Sequence, residues 1–406
     1  MISVHGCPLA RLGGKESGGM NVYVRELALA LGERSMAVDV FTRLTDPTLP
    51  QVVPFGPRAR VIHLPAGAVG PLNKNTVLQH LPEFIHRVRS FKEQHGLGYR
   101  LVHSHYWLSA WVGAMLAERW QLPHIVMYHT LGRVKNSARE AENESWQRIA
   151  VERRTMAGAD AVIAASQHEK MQMTGLYGAP ADQIAVIPCG VDLALFRPHP
   201  KGIARARLGL GQKRVLVFVG RMQPLKGADL LLEALALLGA RHDYHLLVIG
   251  GSIDQDPELG RLRALAVALG IAGRVSFLGA QPQQRLPLYY SAADLCVVPS
   301  HYESFGLVAM EALACGTPVI ASRVGGLPTV IRDGENGLLI GWRSPDAFAQ
   351  GIAAVLSDQT LRRRLTRRAR PSVQHFTWQA VADQLLAVYD ELAVAKQPAQ
   401  VCRCGR

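Results

Sequence analysis

The chain's densest chemistry lies in Ser300–Gly316, the run S-H-Y-E-S-F-G-L-V-A-M-E-A-L-A-C-G. Glu303 and Glu311 flank Phe305, Gly306 and Leu307. A strand-like run, Leu295–Val298, precedes them, and a helical pattern opens near Phe305. The unpaired amides of a helix N-terminus carry about half a positive charge and bind anions. Gly306 would let a phosphate approach the backbone closely. Glu303 falls in the loop before the helix. Glu311 falls about two turns inside it, in an apolar stretch where a lone carboxylate is costly without a partner. A carboxylate there suits a ribose diol. The competing reading makes Glu303 a helix-entry charge and Glu311 a surface residue, and the apolar setting of Glu311 disfavours it.

A second set is Val219-Gly220-Arg221-Met222-Gln223-Pro224-Leu225-Lys226-Gly227, after the strand Val215–Val219. Arg221 and Lys226 would project from the C-terminal edge of a parallel sheet, where open α/β folds bind ligands. Two cations there could neutralise a departing diphosphate. A third set, Gly13-Gly14-Lys15-Glu16-Ser17-Gly18-Gly19-Met20-Asn21, precedes a helix over Val22–Leu31 and also suits phosphates. It lacks a clean G-x-G-x-x-G. Asp39 lies inside its strand rather than at the end, so a dinucleotide dehydrogenase is disfavoured.

The first half adds His103-Ser104-His105-Tyr106-Trp107 and Tyr128-His129-Thr130 at strand ends, then Arg133, Lys135, Arg148, Arg153 and Arg154. His103 and His105 are read as pointing to opposite faces of their strand, with no cysteine or carboxylate near. A cationic pocket for a phosphorylated acceptor therefore fits better than a metal site. Asp254-Gln255-Asp256 could hold a metal, but its polar surroundings favour a solvated turn.

Short β-branched runs alternating with helical patterns must position these residues. Strands are expected at Val38–Thr42, Arg60–Leu64, Leu101–Ser104, His124–Tyr128, Asp160–Ala164 and Ile184–Ile187. A second series is expected at Val215–Val219, His245–Ile249, Arg274–Leu278, Asp294–Val298 and Thr317–Ala321, with helices such as Leu230–Leu238 and Leu259–Leu269. Near-continuous apolar strands argue for parallel sheets covered on both faces, and two series argue for two doubly wound domains. Prolines and a glycine in Phe196–Gly202 mark the boundary. Thr45–Arg58 and Pro65–Lys74 read as irregular loops.

At 406 residues and 48% hydrophobic, the chain can bury large cores. No apolar run is long enough to span a membrane, and the N-terminus does not read as a signal peptide. Six scattered cysteines exclude a disulfide scaffold; Cys7, Cys189, Cys296 and Cys315 read as small buried residues and Cys402 and Cys404 as part of a loose tail. A cytoplasmic protein is expected. The net charge of +13 favours acidic partners. Part of it is the arginine run 361–370, which reads as a solvated helix face.

The glycine-rich loop, the G-R-x4-K and the E-x7-E from Glu303 to Glu311 resemble the retaining transferases of glycosyltransferase family 4, which have the GT-B architecture. The likeness covers almost the whole chain. It includes Phe376-Thr377-Trp378, which in the family precedes a last helix crossing back to the first domain. It implies an α/β fold of two Rossmann-like domains whose parallel sheets face across a cleft. Residues 1–197, joined by a helix over 379–396, would bind the acceptor. Residues 198–378 would bind the nucleotide sugar, and 397–406 would form a disordered tail. The likeness implies that Arg221 and Lys226 bind the donor diphosphate and Glu311 the ribose. Glu303 and the backbone of Phe305, Gly306 and Leu307 would hold the sugar and β-phosphate. His129 would lie beside the sugar, and Gly18 and Gly19 would close on the diphosphate. His129, Glu303, Arg221 and Lys226 form the implied catalytic set. No cofactor or metal is implied; the co-substrate is a nucleotide sugar, with UDP as the expected carrier. The acceptor hydroxyl would attack from the leaving-group face, with the protein supplying position and charge.

Three blocks, Glu16–Tyr23, His103–Ser109 and His129–Asn136, are similar to the branch that transfers N-acetylglucosamine to an inositol phosphate in mycothiol biosynthesis. That likeness implies that Lys74, Tyr106, Thr130 and Arg148 hold an acceptor phosphate, with Asn21 beside the acceptor. Leu131-Gly132-Arg133-Val134-Lys135 leans towards the branch that moves glucose to fructose 6-phosphate. That branch usually has glutamine after the two glycines, where this chain has Met20-Asn21. Only four residues precede His5, fewer than in family members, so a truncated or misassigned start is expected.

Two other classes compete. A non-catalytic nucleotide-sugar-binding protein would not need the polar set of the first half. A nucleic-acid-binding protein would interleave basic and aromatic residues, which the arginine run does not. The expected partners are small molecules and no nucleic acid; weak contact with an anionic membrane and a homodimer stay open.

Overall fold

The β-branched runs form strands as the alternation predicts. The structure, a computed structural model, describes residues 1–10, 18–138, 143–239, 243–253 and 256–395. The first half holds β1 (Val38–Arg43), β2 (Val52–Pro54), β3 (Ala59–Leu64), β4 (Val102–His105), β5 (His124–Met127), β6 (Ala161–Ala164) and β7 (Ile184–Val186). The second holds β8 (Arg214–Val219), β9 (Tyr244–Ile249), β10 (Val275–Phe277), β11 (Leu295–Val298), β12 (Val319–Ser322) and β13 (Gly337–Ile340).

The second sheet runs β10-β9-β8-β11-β12-β13, parallel throughout. In the first half β2-β3-β1 and β4-β5-β6-β7 are joined through Ile2, which bridges Phe41 and Ser104 in parallel. Among the described residues, the segment before Gly19 thus contributes a single bridging residue to the sheet. Thr45–Arg58 is not wholly irregular: β2 lies within it, antiparallel to β3. The Pro65–Lys74 loop ends one residue early, because Asn73 caps a helix that begins at Lys74. The two doubly wound sheets are those expected of the GT-B architecture.

Helices at Gly19–Glu33, Ala228–Leu238 and Pro257–Ala268 match the expected patterns to within three residues at each end. Helix Gln359–Ala369 buries Leu365 and Ala369 and exposes Arg363, Arg364, Arg367 and Arg368. Arg370 departs from that solvated face and donates to the carbonyls of Leu193, Phe196 and Ala314.

The last helix, Trp378–Ala395, lies against the first half. Arg34 pairs with Asp383, and the Tyr389 hydroxyl meets His103 Nδ1 at 2.6 Å. The two chain crossings between the halves touch. The Val191 amide donates to the Phe376 carbonyl at 2.8 Å, and a Cβ on Gly190 would sit 2.7 Å from the Trp378 nitrogen. One apolar cluster continues across them, from Leu27 through Val191 and Phe196 to Met310 and Trp378. No helix among the described residues is long and apolar enough to cross a membrane. Cys402 and Cys404 lie outside the described residues.

Candidate active site

The glutamate loop leaves β11 at Val298 and reaches Gly306, whose φ of +103° caps the helix Leu307–Ala314. The helix opens two residues later than expected, because Phe305 is spent on burial, its ring edge-on to Phe376 at 5.9 Å. The Glu303 carbonyl accepts the Gly326 amide at 3.0 Å. A Cβ on Gly325 would fall 1.8 Å from that oxygen, so only a glycine turn fits beneath the loop. Lys226 ends the turn Pro224–Lys226 and donates to Glu303 at 2.6 Å.

Glu311 does have the partner its apolar helix demands. It is 8% exposed and accepts the Tyr290 hydroxyl at 2.8 Å. Burial pushes its carboxyl up to about 7, against hydrogen bonds from Tyr290 and Gln283. Gln283 is in turn held by Arg25 of the first half at 2.5 Å. A narrow recess between the halves, with room for little more than a water, reaches Glu311 and is lined also by Val22, Glu26, Gln283, Leu307 and Trp378. Tyr290 and Gln283 carry no motif and were invisible in the sequence.

The halves meet at Gly18 and Gly19. A Cβ on Gly18 would stand 3.3 Å from Arg221 Nε, and one on Gly19 3.2 Å from Leu307 Cδ1. The Asn21 side chain accepts the Gly18 amide at 2.9 Å and donates to the Cys7 carbonyl at 2.8 Å, so it caps the helix and ties the N-terminus. The loop residues Gly13–Ser17 lie outside the described residues. The Ser304 hydroxyl donates to the His129 carbonyl, joining the glutamate loop to the first half.

At the ends of β4 and β5, Tyr106 and His129 adopt φ of +81° and +60°. Non-glycine residues hold such conformations only where their surroundings dictate it, often at functional sites. The structure brings Lys74, Tyr106, Thr130 and Arg148 together. Lys74 Nζ lies 5.3 Å from the Tyr106 ring centre, and the Arg148 guanidinium 4.9 Å. Arg148 is buried and donates to Glu152 at 2.7 Å, to the Tyr106 hydroxyl at 3.1 Å, and to the Thr130 hydroxyl and carbonyl at 3.0 and 2.8 Å. Burial would lower its basicity, but Tyr106, Glu152 and Glu144 outweigh that and hold it above the ordinary arginine value. Its protons are committed to the protein, so its reach to a ligand passes through Tyr106 and Thr130.

His5 joins this group, which sequence reasoning missed because no motif contains it. Its ring lies 4.4 Å from Tyr106. Burial, with Lys74, Arg148, His129 and Arg221 nearby, pushes its pKa down to about 3. Of these neighbours, Arg221 belongs to the second half.

His103 and His105 correct the sequence reading. Residues two apart in a strand share a face, and their rings lie 4.3 Å apart. Of the D-x-D, Asp254 and Gln255 lie outside the described residues. Asp256 caps the helix Pro257–Ala268 through the Glu258 amide at 3.1 Å.

Comparison with known proteins gives the family. Residues 17–195 match the pattern of Glycosyltransferase Family 4, and residues 201–372 that of Glycosyl transferases group 1. A D-inositol 3-phosphate glycosyltransferase of Acidothermus cellulolyticus is 41% identical, over 99% of this chain and 92% of its own. One of Geodermatophilus obscurus is 43% identical, over 98% and 91%. Among solved structures, sucrose-phosphate synthase of Thermosynechococcus elongatus is 39% identical, with a TM-score of 0.91 over 97% of this chain and 98% of that one. HepE of Anabaena in complex with UDP-glucose shares the fold at 21% identity, with a TM-score of 0.76 over 94% and 98%. These likenesses set aside the non-catalytic reading: the chain belongs to glycosyltransferase family 4, as a sugar-transferring enzyme of GT-B architecture.

Proposed function

We propose that the enzyme moves a hexosyl group, N-acetylglucosamine as first choice, from a UDP-sugar to an inositol phosphate, with retention and without a metal. The observation that carries this is the gathering of Lys74, Tyr106, Thr130 and Arg148 beside His129, opposite the donor-side cations. Lys74 and the hydroxyls of Tyr106 and Thr130 hold the acceptor phosphate, and Arg148 fixes those hydroxyls. Asn21 positions the glycine loop beside the acceptor. Arg221 and Lys226 neutralise the departing diphosphate, with Gly18 and Gly19 closing over it. Glu311 takes the ribose. Glu303 and the backbone of Phe305, Gly306 and Leu307 take the sugar and β-phosphate. Preorganised charge of this kind stabilises the transition state without a protein nucleophile. The named function of the inositol-phosphate relatives supports this acceptor; a place in mycothiol biosynthesis rests on the resemblance of the three sequence blocks alone. We place the reaction in the cytoplasm, with small-molecule partners.

The likeness to sucrose-phosphate synthase favours a second reading, glucose to fructose 6-phosphate. UDP release decides, measured in EDTA with UDP-N-acetylglucosamine or UDP-glucose against inositol 1-phosphate, inositol 3-phosphate and fructose 6-phosphate. Turnover of N-acetylglucosamine with an inositol phosphate is expected. Turnover of glucose with fructose 6-phosphate would replace the first reading by the second.

A further inference from the structure

We propose that His105 is a positioning residue that fixes the tautomer of His129, so that His129 offers its Nδ1–H to the transferred sugar. The proposal rests on the reading of His129 as the sugar's neighbour. His129 Nε2 lies 3.1 Å from His105 Nδ1, and one proton must sit between them. Burial keeps both imidazoles neutral: it pushes His129 down to about 3 and His105 well below its ordinary value. Each ring therefore carries a single N–H.

Two arrangements are open. If His129 donated from Nε2, His105 would carry its own proton on Nε2. That atom is buried and has no hydrogen-bond partner. Buried N–H groups without acceptors are rarer in folded proteins than under-used acceptors, because the lost bond is not recovered from water. The favoured arrangement has His105 donating from Nδ1, which leaves only a lone pair on the orphaned nitrogen. His129 Nε2 is then an acceptor, and its proton is on Nδ1, the nitrogen left for a ligand. His103 repeats the pattern. Its Nδ1 meets the Tyr389 hydroxyl, and its Nε2 is likewise buried without a partner.

The packing holds this pair in place. The His105 ring lies 4.3 Å from that of His103, and Tyr23 meets His129 edge-on at 5.0 Å. The Ser304 contact fixes the His129 backbone at its unusual φ. A ring presenting N–H to a sugar oxygen binds and orients that hydroxyl and takes no proton from it. A hydrogen-bonded neighbour that sets a histidine's tautomer is a familiar device, and its removal often costs about 10–100-fold in activity where metal-bound histidines have been studied.

Long-range nitrogen–proton NMR on the full chain, with nitrogen-15 histidine, reads which ring nitrogen carries the proton. The His129 signals are assigned by their loss in His129→Asn. The unchanged protein should show His129 protonated at Nδ1. His105→Asn keeps a donor near the Nδ1 position, so it should keep that tautomer and a kcat within about threefold. His105→Phe keeps the bulk without the donor; it should lose the single tautomer and lower kcat about tenfold or more, with donor KM changed less. Finding His129 protonated at Nε2 in the unchanged protein would overturn the proposal. So would an Nδ1 proton and kcat that survive in His105→Phe. Should His105→Phe fail to fold, the unchanged protein and His105→Asn still decide. A wrong donor or acceptor would silence turnover in every variant, yet leave the tautomer readable.

Discussion

On the proposed reading, Glu311 meets the ribose as an acid whose proton is held by its surroundings. Burial raises its folded pKa from the ordinary 4.5 to about 7. Its neutral form suits the folded state, so its stabilising contribution is complete below about 4.5 and is lost as pH rises through about 7. A ribose diol donates to the ionised form, so donor binding must expel the proton. Calorimetry with UDP should show affinity falling about tenfold from pH 8 to pH 6. Glu169 is also pushed up to about 7 by burial, so the Glu311→Gln variant is the control. It should bind more weakly with a flat profile, and an unchanged slope in that variant would free Glu311 of the titration. On the same reading, Lys226 acts on developing charge. Lys226→Ala should lower kcat about 10²–10³-fold while leaving UDP bound, with UDP release as the assay. A loss confined to KM would move Lys226 from the transition state to simple binding.

At the scale of elements, the two chain crossings are the mechanical feature. Gly190 has no room for a side chain against Trp378. Gly190→Ala must push the crossings apart, at about 1–3 kcal/mol read as a fall in Tm. An unchanged Tm would show that the crossings yield freely. Elements were legible in the sequence in proportion to their local signal. Eleven strands were announced by continuous apolar runs. β2 was hidden by its three residues and terminal proline, and β13 by its leading glycine and short length. The glutamate loop and the Arg221–Lys226 pair could be read because each is compact in sequence. His5, Tyr290 and Gln283 could not, since only the fold brings them to residues far away in the chain. The His103–His105 pair was misread although its spacing alone requires one shared face.

At the scale of the whole molecule, the chain carries a net charge of +13 around a site that, on the proposed reading, takes phosphates on both sides. A phosphorylated acceptor would be drawn by that field, and salt would screen it. KM for the acceptor phosphate should rise several-fold between about 0.01 M and about 0.15 M salt, as the Debye length falls from about 30 to about 8 Å. A KM indifferent to salt would mean that the acceptor is recognised without its charge.

The return of the helix Trp378–Ala395 to the first half has a consequence for how the chain is made. The second half is an insertion whose two ends meet at Val191 and Phe376. As synthesis proceeds, its sheet can close before the chain is finished. The first half begins earlier but waits for the helix Trp378–Ala395 to leave the ribosome before His103 gains Tyr389 and Arg34 gains Asp383. The half that is translated first is completed last, and until then the face it keeps for that helix stands open to chaperones.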